Sequence, residues 1–236
     1  MDLLIDNLPQ YGRALLTTLS LMILGLVGGF FLAAPIALIS VEAPRPFKLG
    51  ALIYTTFFRG TPLLVQVFMI YYGLGQVWVI RHTFLWAAFK EPFFCAILAL
   101  ALNTSAYTAN IIKGAIQSVP KGEIEAGAAF GLNRAKLYRY IILPYALRLF
   151  LPAYGSEVII IMKATSLAAT ITLLDLTSLA KLIMSRTFRP FESFIITASI
   201  YIAITFVLTR ILKLIERTIS HEDKIDRLNR APEGQF

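Results

Sequence analysis

The sequence predicts an all-α integral membrane protein with about five transmembrane helices, and three observations carry that expectation. Of 236 residues, 57% are hydrophobic and 15% charged, a balance too apolar for an ordinary soluble domain. The apolar residues gather into runs of about 20, the length that crosses a bilayer core as a helix. Basic residues collect on alternate connections between those runs, so the net charge of +8 reads as membrane orientation and not as a nucleic-acid surface.

Residues 1–16 carry Asp2, Asp6 and one base, Arg13, the reverse of a signal peptide's basic start. No cleavage is expected, and the stretch is read as an extracytoplasmic segment ahead of a transmembrane domain over 17–214. The first span covers about 17–39, where Gly25, Gly29 and Ala33 recur on one face. Such a stripe of small residues is a close helix contact, either within the subunit or with a partner. Pro44 and Pro46, with Arg45 and Lys48, break the chain. The next apolar run, about 52–80, is interrupted by Phe58, Arg59, Gly60, Thr61 and Pro62, which predict a bend near a membrane interface.

A short connection over 81–92 leads to the third span, about 93–112. Asn103, Tyr107 and Asn110 fall on one side of it, and an amide at the depth of Asn103 needs a partner. That partner is either a neighbouring helix or a transported molecule. The Asn103-Thr104-Ser105 sequon has no glycosylation value inside a span.

A polar loop over 113–145 follows. Pro120 and Gly122 break the preceding helix, Glu123 and Glu125 fall in the first turn of a new one, and Arg134 and Lys136 follow its end, as a helix dipole favours. Gly127 and Gly131 lie four apart and are expected to leave one face bare, as a docking surface or a plain linker.

The fourth span, about 146–168, contains Pro152, Gly155, Glu157 and Lys163. A charge at mid-span costs about 2.5–3.5 kcal/mol, so Glu157 is expected to face a cavity or a partner. Six helical positions separate it from Lys163, about 240° and about 9 Å, so direct pairing requires an unwound helix at Pro152 or Gly155. Residues 173–190 then form a loop or re-entrant element, the fifth span covers about 191–212, and 215–236 is a polar cytoplasmic tail.

With an outside amino terminus, the inner segments hold 15 basic residues and the outer ones 6. The positive-inside rule therefore puts the loop over 113–145 and the carboxyl terminus in the cytoplasm. Cys95 is alone, and His82 and His221 lie in separate connections, so neither a disulfide nor a metal site is expected. No phosphate-binding Gly-x-x-x-x-Gly-Lys-Ser/Thr loop occurs. An intramembrane hydrolase would need a nucleophile and base at membrane depth, and neither histidine lies there.

Glu125, Ala126, Gly131, Ile141, Leu143 and Pro144 match a signature of Glu-Ala-Ala, three residues, Gly, nine residues, Ile-x-Leu-Pro, with Gly127 in place of the second alanine. In this the chain resembles the membrane subunits of bacterial ATP-binding-cassette importers. Arg59, Gly60, Thr61 and Pro62, the Leu102 to Tyr107 run, and Lys163, Thr165, Ser166 and Leu167 resemble the permeases for polar amino acids within that family, of the M type. Asn110 departs from the pattern, since an acid is common there. The resemblance covers about 17–214 and implies the type I importer permease fold.

It further implies a coupling helix that sits in a cleft of a separate ATPase subunit, so this chain is itself no enzyme and holds no cofactor, ATP and Mg²⁺ being bound by the ATPases. The implied partners are an ATP-binding subunit dimer, a second permease that is similar or identical, and an extracytoplasmic amino-acid-binding protein. The implied task is moving a polar, basic amino acid (histidine, lysine, arginine, ornithine) or an opine across the bacterial inner membrane by alternating access. Asn103, Tyr107, Glu157, Thr165 and Ser166 are the candidate substrate contacts, with Glu157 and Asn103 sharing the amine or guanidinium. Proton-coupled secondary transport, with Glu157 and Lys163 as a relay, is the alternative.

Overall fold

The computed structural model describes residues 7–229, with side chains as far as Thr218; the outer ends of the predicted 1–16 and 215–236 segments lie outside the described residues. Every regular element among the described residues is helical. Four helical runs are long and apolar enough to span a membrane: Leu8–Glu42, Pro92–Gln117, Arg134–Thr170 and Pro190–Thr218. A fifth is added if the pair Arg45–Gly60 and Leu63–Gln76 counts as one span.

The first helix, α1 (Leu8–Glu42), starts well before the predicted span and runs through Pro35. α2 (Arg45–Gly60) and α3 (Leu63–Phe68), which a π turn and a 3-10 turn extend to Gln76, replace the single second run expected from the sequence. They meet at a bend of 102°, because Pro62 lacks the amide hydrogen that would continue α2 and Thr61 turns extended before it. The predicted short connection contains two small helices, α4 (Trp78–Arg81) and α5 (Trp86–Phe89).

α6 (Pro92–Gln117) stands at the centre, and its alanines are buried from Ala96 to Ala115. α1 packs along it through the predicted small-residue stripe. A Cβ at Gly25 would meet Leu100 Cβ at 3.0 Å, one at Gly28 would meet Ala101 Cβ at 3.3 Å, and one at Gly29 would lie 3.1 Å from Ala101 O and collide with the Thr104 methyl. Ala33 and Ala37 continue the seam against Ala109. The stripe thus serves a contact inside the subunit, with small residues on both helices.

The polar loop forms α7 (Lys121–Ala129) and α8 (Arg134–Leu137), and a π turn over Tyr138–Ile142 leads into α9 (Leu143–Ala164). α9 stays helical through Pro152 and Gly155 and ends in a 3-10 turn, Thr165–Thr170. Phe30 of α1 lies edge-on to Phe150 and Tyr154 of α9, with ring centroids 6.1 and 6.2 Å away, and ties these two helices together. The expected loop or re-entrant element is a helix, α10 (Leu176–Thr187), whose amino end is capped by Asp175 and which ends at Phe188 in a left-handed conformation. α11 (Pro190–Asn229) closes the described chain and leaves Phe191, Ile202, Phe206 and Val207 exposed.

The seam gives a direct test. Gly29→Leu places a side chain where Thr104 and the α6 backbone already lie, and overpacking of this kind costs about 1–3 kcal/mol. Gly50→Ala in α2 meets nothing within 4 Å and is expected to be neutral or to gain about 1 kcal/mol from helix propensity. Thermal denaturation of the detergent-purified protein should show a marked loss for the first and none for the second. Equal melting of the two variants would dissolve the argument.

Candidate functional site

Three consecutive residues of α6 reach three different neighbours, since each step along a helix turns about 100°. Asn103 donates both amide hydrogens, to Phe58 O and Gln66 Oε1, each at 3.1 Å. Thr104 donates to Glu157 Oε1 at 2.8 Å. Ser105 Oγ lies 2.6 Å from Tyr54 Oη, which also donates to Leu102 O.

Asn103 and Glu157 are therefore bonded neither to each other nor to a shared partner. The amide is spent on the α2–α3 bend, and the carboxylate is turned toward α9's own packing against α6. Both residues are buried, Asn103 at 7% exposure and Glu157 at 4%. The hydrogen bond that fastens the bundle, left open by the sequence, is where Asn103 goes. Glu157 keeps one oxygen, Oε2, without a hydrogen-bond partner among the described residues. It does not pair with Lys163, because α9 does not unwind and Lys163 is exposed on another side.

The bend signature and Tyr107 come together as a cluster. The Arg59 guanidinium lies 5.3 Å from the Tyr107 ring centroid, and Tyr107 Oη donates to Arg59 O at 3.4 Å. Gln66, part of the bend signature in the sequence but given no role of its own there, holds the bend by donating to Phe58 O at 2.9 Å and to Thr61 Oγ1 at 2.7 Å. Its place one turn after Pro62 was the available signal.

Thr165 and Ser166 spend their hydroxyls on the carbonyls three residues back, at 2.6 and 2.8 Å. Thr165 is wholly buried; Ser166 is not, and with Lys163, Thr177 and Tyr201 it borders a groove of about 530 Å³ against α11. Behind Tyr201 lies a network that sequence reading missed. Asp175 accepts from the Ser178 and Thr177 amides at 2.9 and 3.1 Å and from Tyr201 Oη at 3.5 Å, while the Leu176 amide donates to Thr18 Oγ1 at 3.3 Å. An aspartate just before the amphipathic Leu176 stretch is a helix-start signal.

The predicted coupling loop is a packed unit, and this alters the reading of its glycines. α7 starts at Lys121, so Gly122 lies inside it and only Glu123 falls in the first turn. Gly131 does not share a face with Gly127. It stands past the end of α7 at φ +76°, a left-handed conformation that glycine adopts without strain. Gly127 is buried, and its expected bare face is filled by the loop's own later residues. A Cβ there would meet Ile141 Cδ1 at 2.5 Å, Leu137 Cδ2 at 2.7 Å and Leu132 Cδ1 at 3.4 Å. Arg134 and Lys136 belong to α8, which is capped by Asn133 accepting from the Lys136 amide at 3.0 Å.

Pro144 explains the turn that brings Ile141 back: it cannot donate to Tyr140 O, and the chain widens into the π turn just ahead of it. Leu143 and Pro144 then open α9. The unit leaves exposed Glu125, on the side of α7 away from Gly127, and also Glu123, Ala126 and Phe130, the last at 88% exposure.

Gly127→Ala should preserve this unit, because the atoms in the way are the far ends of flexible side chains and alanine gains about 1 kcal/mol of helix propensity. Gly127→Phe should displace Leu137 and Ile141 and turn α7 out of place. Limited proteolysis of the loop in detergent reads the difference: accelerated cleavage is expected for phenylalanine only, and equal protection in both variants would show that the glycine is not packed.

Residues 25–221 match the family described as "Binding-protein-dependent transport system inner membrane component". The nopaline transport system permease protein NocM of Agrobacterium fabrum is 48% identical over 217 residues, covering 92% of this chain and 90% of its own. The histidine/lysine/arginine/ornithine transport system permease protein HisM of Escherichia coli K12 is 44% identical over 201 residues, covering 85% and 84%. A solved structure, described as an amino acid ABC transporter with histidines, superposes with a TM-score of 0.82 at 37% identity, over 91% of this chain and 96% of that one. With the signature loop, the helical spans and these likenesses together, the chain belongs to the family of binding-protein-dependent transport system inner membrane components.

Proposed function

We propose that this chain is one of two permease subunits of an ATP-driven importer in a bacterial inner membrane, carrying a polar, basic amino acid or an opine. The observation that carries the reading is the packed loop unit. It presents one side of α7 to the exterior while its other side is locked to the start of α9, so force applied to α7 is delivered to a membrane helix. The relatives named for histidine, lysine, arginine, ornithine and nopaline transport support the substrate class. The match to a solved ABC transporter favours ATP-driven import over proton-coupled transport.

On this reading the loop lies in the cytoplasm, an ATP-binding subunit dimer holds ATP and Mg²⁺ and grips Glu125, Ala126 and their neighbours, and a binding protein delivers the substrate outside. A second permease, similar or identical, completes the pore. Glu157 Oε2 offers an acceptor to a substrate amine or guanidinium, and Tyr107 and Ser166 are the accessible members of the other candidate contacts.

Purification from native membranes in mild detergent, with mass spectrometry of stoichiometric partners, should return an ATPase chain and a permease. Proteoliposomes of that complex with its binding protein should then take up labelled arginine, histidine, octopine or nopaline only when ATP is inside. Uptake driven by a proton gradient without ATP would overturn the proposal.

Glu157→Gln keeps an oxygen for Thr104 and so should assemble normally. A lost charge-assisted hydrogen bond costs about 1.5–3 kcal/mol, so kcat/KM for uptake should fall about tenfold or more. Unchanged kinetics would take Glu157 out of the substrate path.

A further inference from the structure

Glu42 is the last residue of α1, at the end where unpaired helix carbonyls disfavour a carboxylate. Local sequence gives no reason for an acid there. Its two oxygens are nevertheless both engaged by the loop unit: one pairs with the Arg134 guanidinium, and the other accepts from Tyr138 Oη. Arg134 opens α8 and Tyr138 opens the π turn, and the Leu137 and Ile141 of these same elements cover Gly127 of α7. Glu42 thus holds the end of the first membrane helix to the body that carries the docking helix.

We propose that Glu42 is a positioning residue that passes movement of α7 to α1, a role that rests on the reading of the loop as the ATPase contact. The loop unit is continuous with α9 through the chain itself, whereas α1 lies far from it in sequence. α1 is in turn seated on α6 along the glycine seam, so a displacement received at Glu42 moves α1 and α6 together with α9. Without the clamp, α1 and α6 receive that movement only through α9, by way of the Phe30 ring contacts and the Thr104–Glu157 hydrogen bond. Stability does not account for the arrangement. The side chains are partly exposed, 73% for Arg134 and 32% for Glu42, and such ion pairs contribute about 0–1 kcal/mol to folding.

The test is the number of ATP molecules hydrolysed per molecule imported, measured in proteoliposomes of the full complex with its binding protein, with labelled arginine, histidine, octopine and nopaline offered as probes. Glu42→Arg should raise that ratio about tenfold, a usual size for a coupling interaction, by lowering import while hydrolysis continues. Glu42→Arg combined with Arg134→Glu should bring it back toward the parent value. A merely structural role would lower the yield or melting temperature of the complex and leave the ratio of the assembled fraction unchanged, which would overturn the proposal. So would a double reversal that restores nothing. If Glu42→Arg does not assemble, Glu42→Gln and Tyr138→Phe are read in the same way: a raised ratio supports the clamp and an unchanged one refutes it. A parent complex that imports without ATP would defeat the importer reading itself, a separate outcome from failure of the clamp.

Discussion

At Gly25 and Gly29 the backbone of α1 lies so near α6 that an added methyl group would meet Leu100 Cβ at 3.0 Å and Ala101 O at 3.1 Å. In a bilayer no hydrophobic force draws two apolar helices together, so close backbone approach and side-chain interlocking must do it. The seam also fixes the rotation of α6 about its axis. With that rotation set, Asn103 meets the α2–α3 bend, Thr104 meets Glu157 on α9, and Ser105 meets Tyr54 on α2. A turn of α6 by one residue's step would separate all three hydroxyl and amide groups from these partners, and a polar group left unsatisfied at membrane depth costs several kcal/mol. Small residues on α1 therefore act at a distance, through the register that they impose on the polar residues of α6.

Much of this was legible in the residues. Runs of apolar sequence mark helices because backbone hydrogen bonds must be closed locally in lipid, and the Gly25-Gly29-Ala33 periodicity marked a close contact without naming the partner. What periodicity cannot carry is which helix lies opposite. Asn103 and Glu157 looked like a pair because both are polar at similar depth, yet their partners, Gln66 and Thr104, are set by tertiary packing. The 102° bend was readable as a break at Pro62 but not as an angle. α10 was underread because its apolar stretch is short, although Asp175 stands at its start as a capping residue.

The coupling-loop signature acquires a different physical meaning once its packing is known. Read as spacing, Gly127 and Gly131 suggested a bare face for a partner. In the structure one is covered by Leu137 and Ile141 and the other makes a left-handed turn that lets the chain double back. The isoleucine, leucine and proline at the end of the motif are thus partners of the small residues at its start. Pro144 forces the π turn, the π turn brings Ile141 over α7, and a small residue at 127 receives it. Such a motif specifies a rigid unit, and on the proposed function its docking surface is the side that the internal contacts leave exposed.

A rigid unit matters only if the membrane part answers as bodies and not as a pliable bundle. α1, α6 and α9 are interlocked by the glycine seam, by Thr104 on Glu157, and by the Phe30, Phe150 and Tyr154 rings. α11 is different: its middle is largely exposed and, with the 3-10 turn after α9, it borders the groove that contains Lys163. Lys163 stands in the last turn of α9, exposed beside that groove, so this face carries a charge that protein or water can meet. The interlocked helices and the exposed, lysine-bearing face lie on different sides of α9. A permease of the proposed kind needs that division, with one side transmitting motion from the loop and the other bounding a path that a second subunit completes.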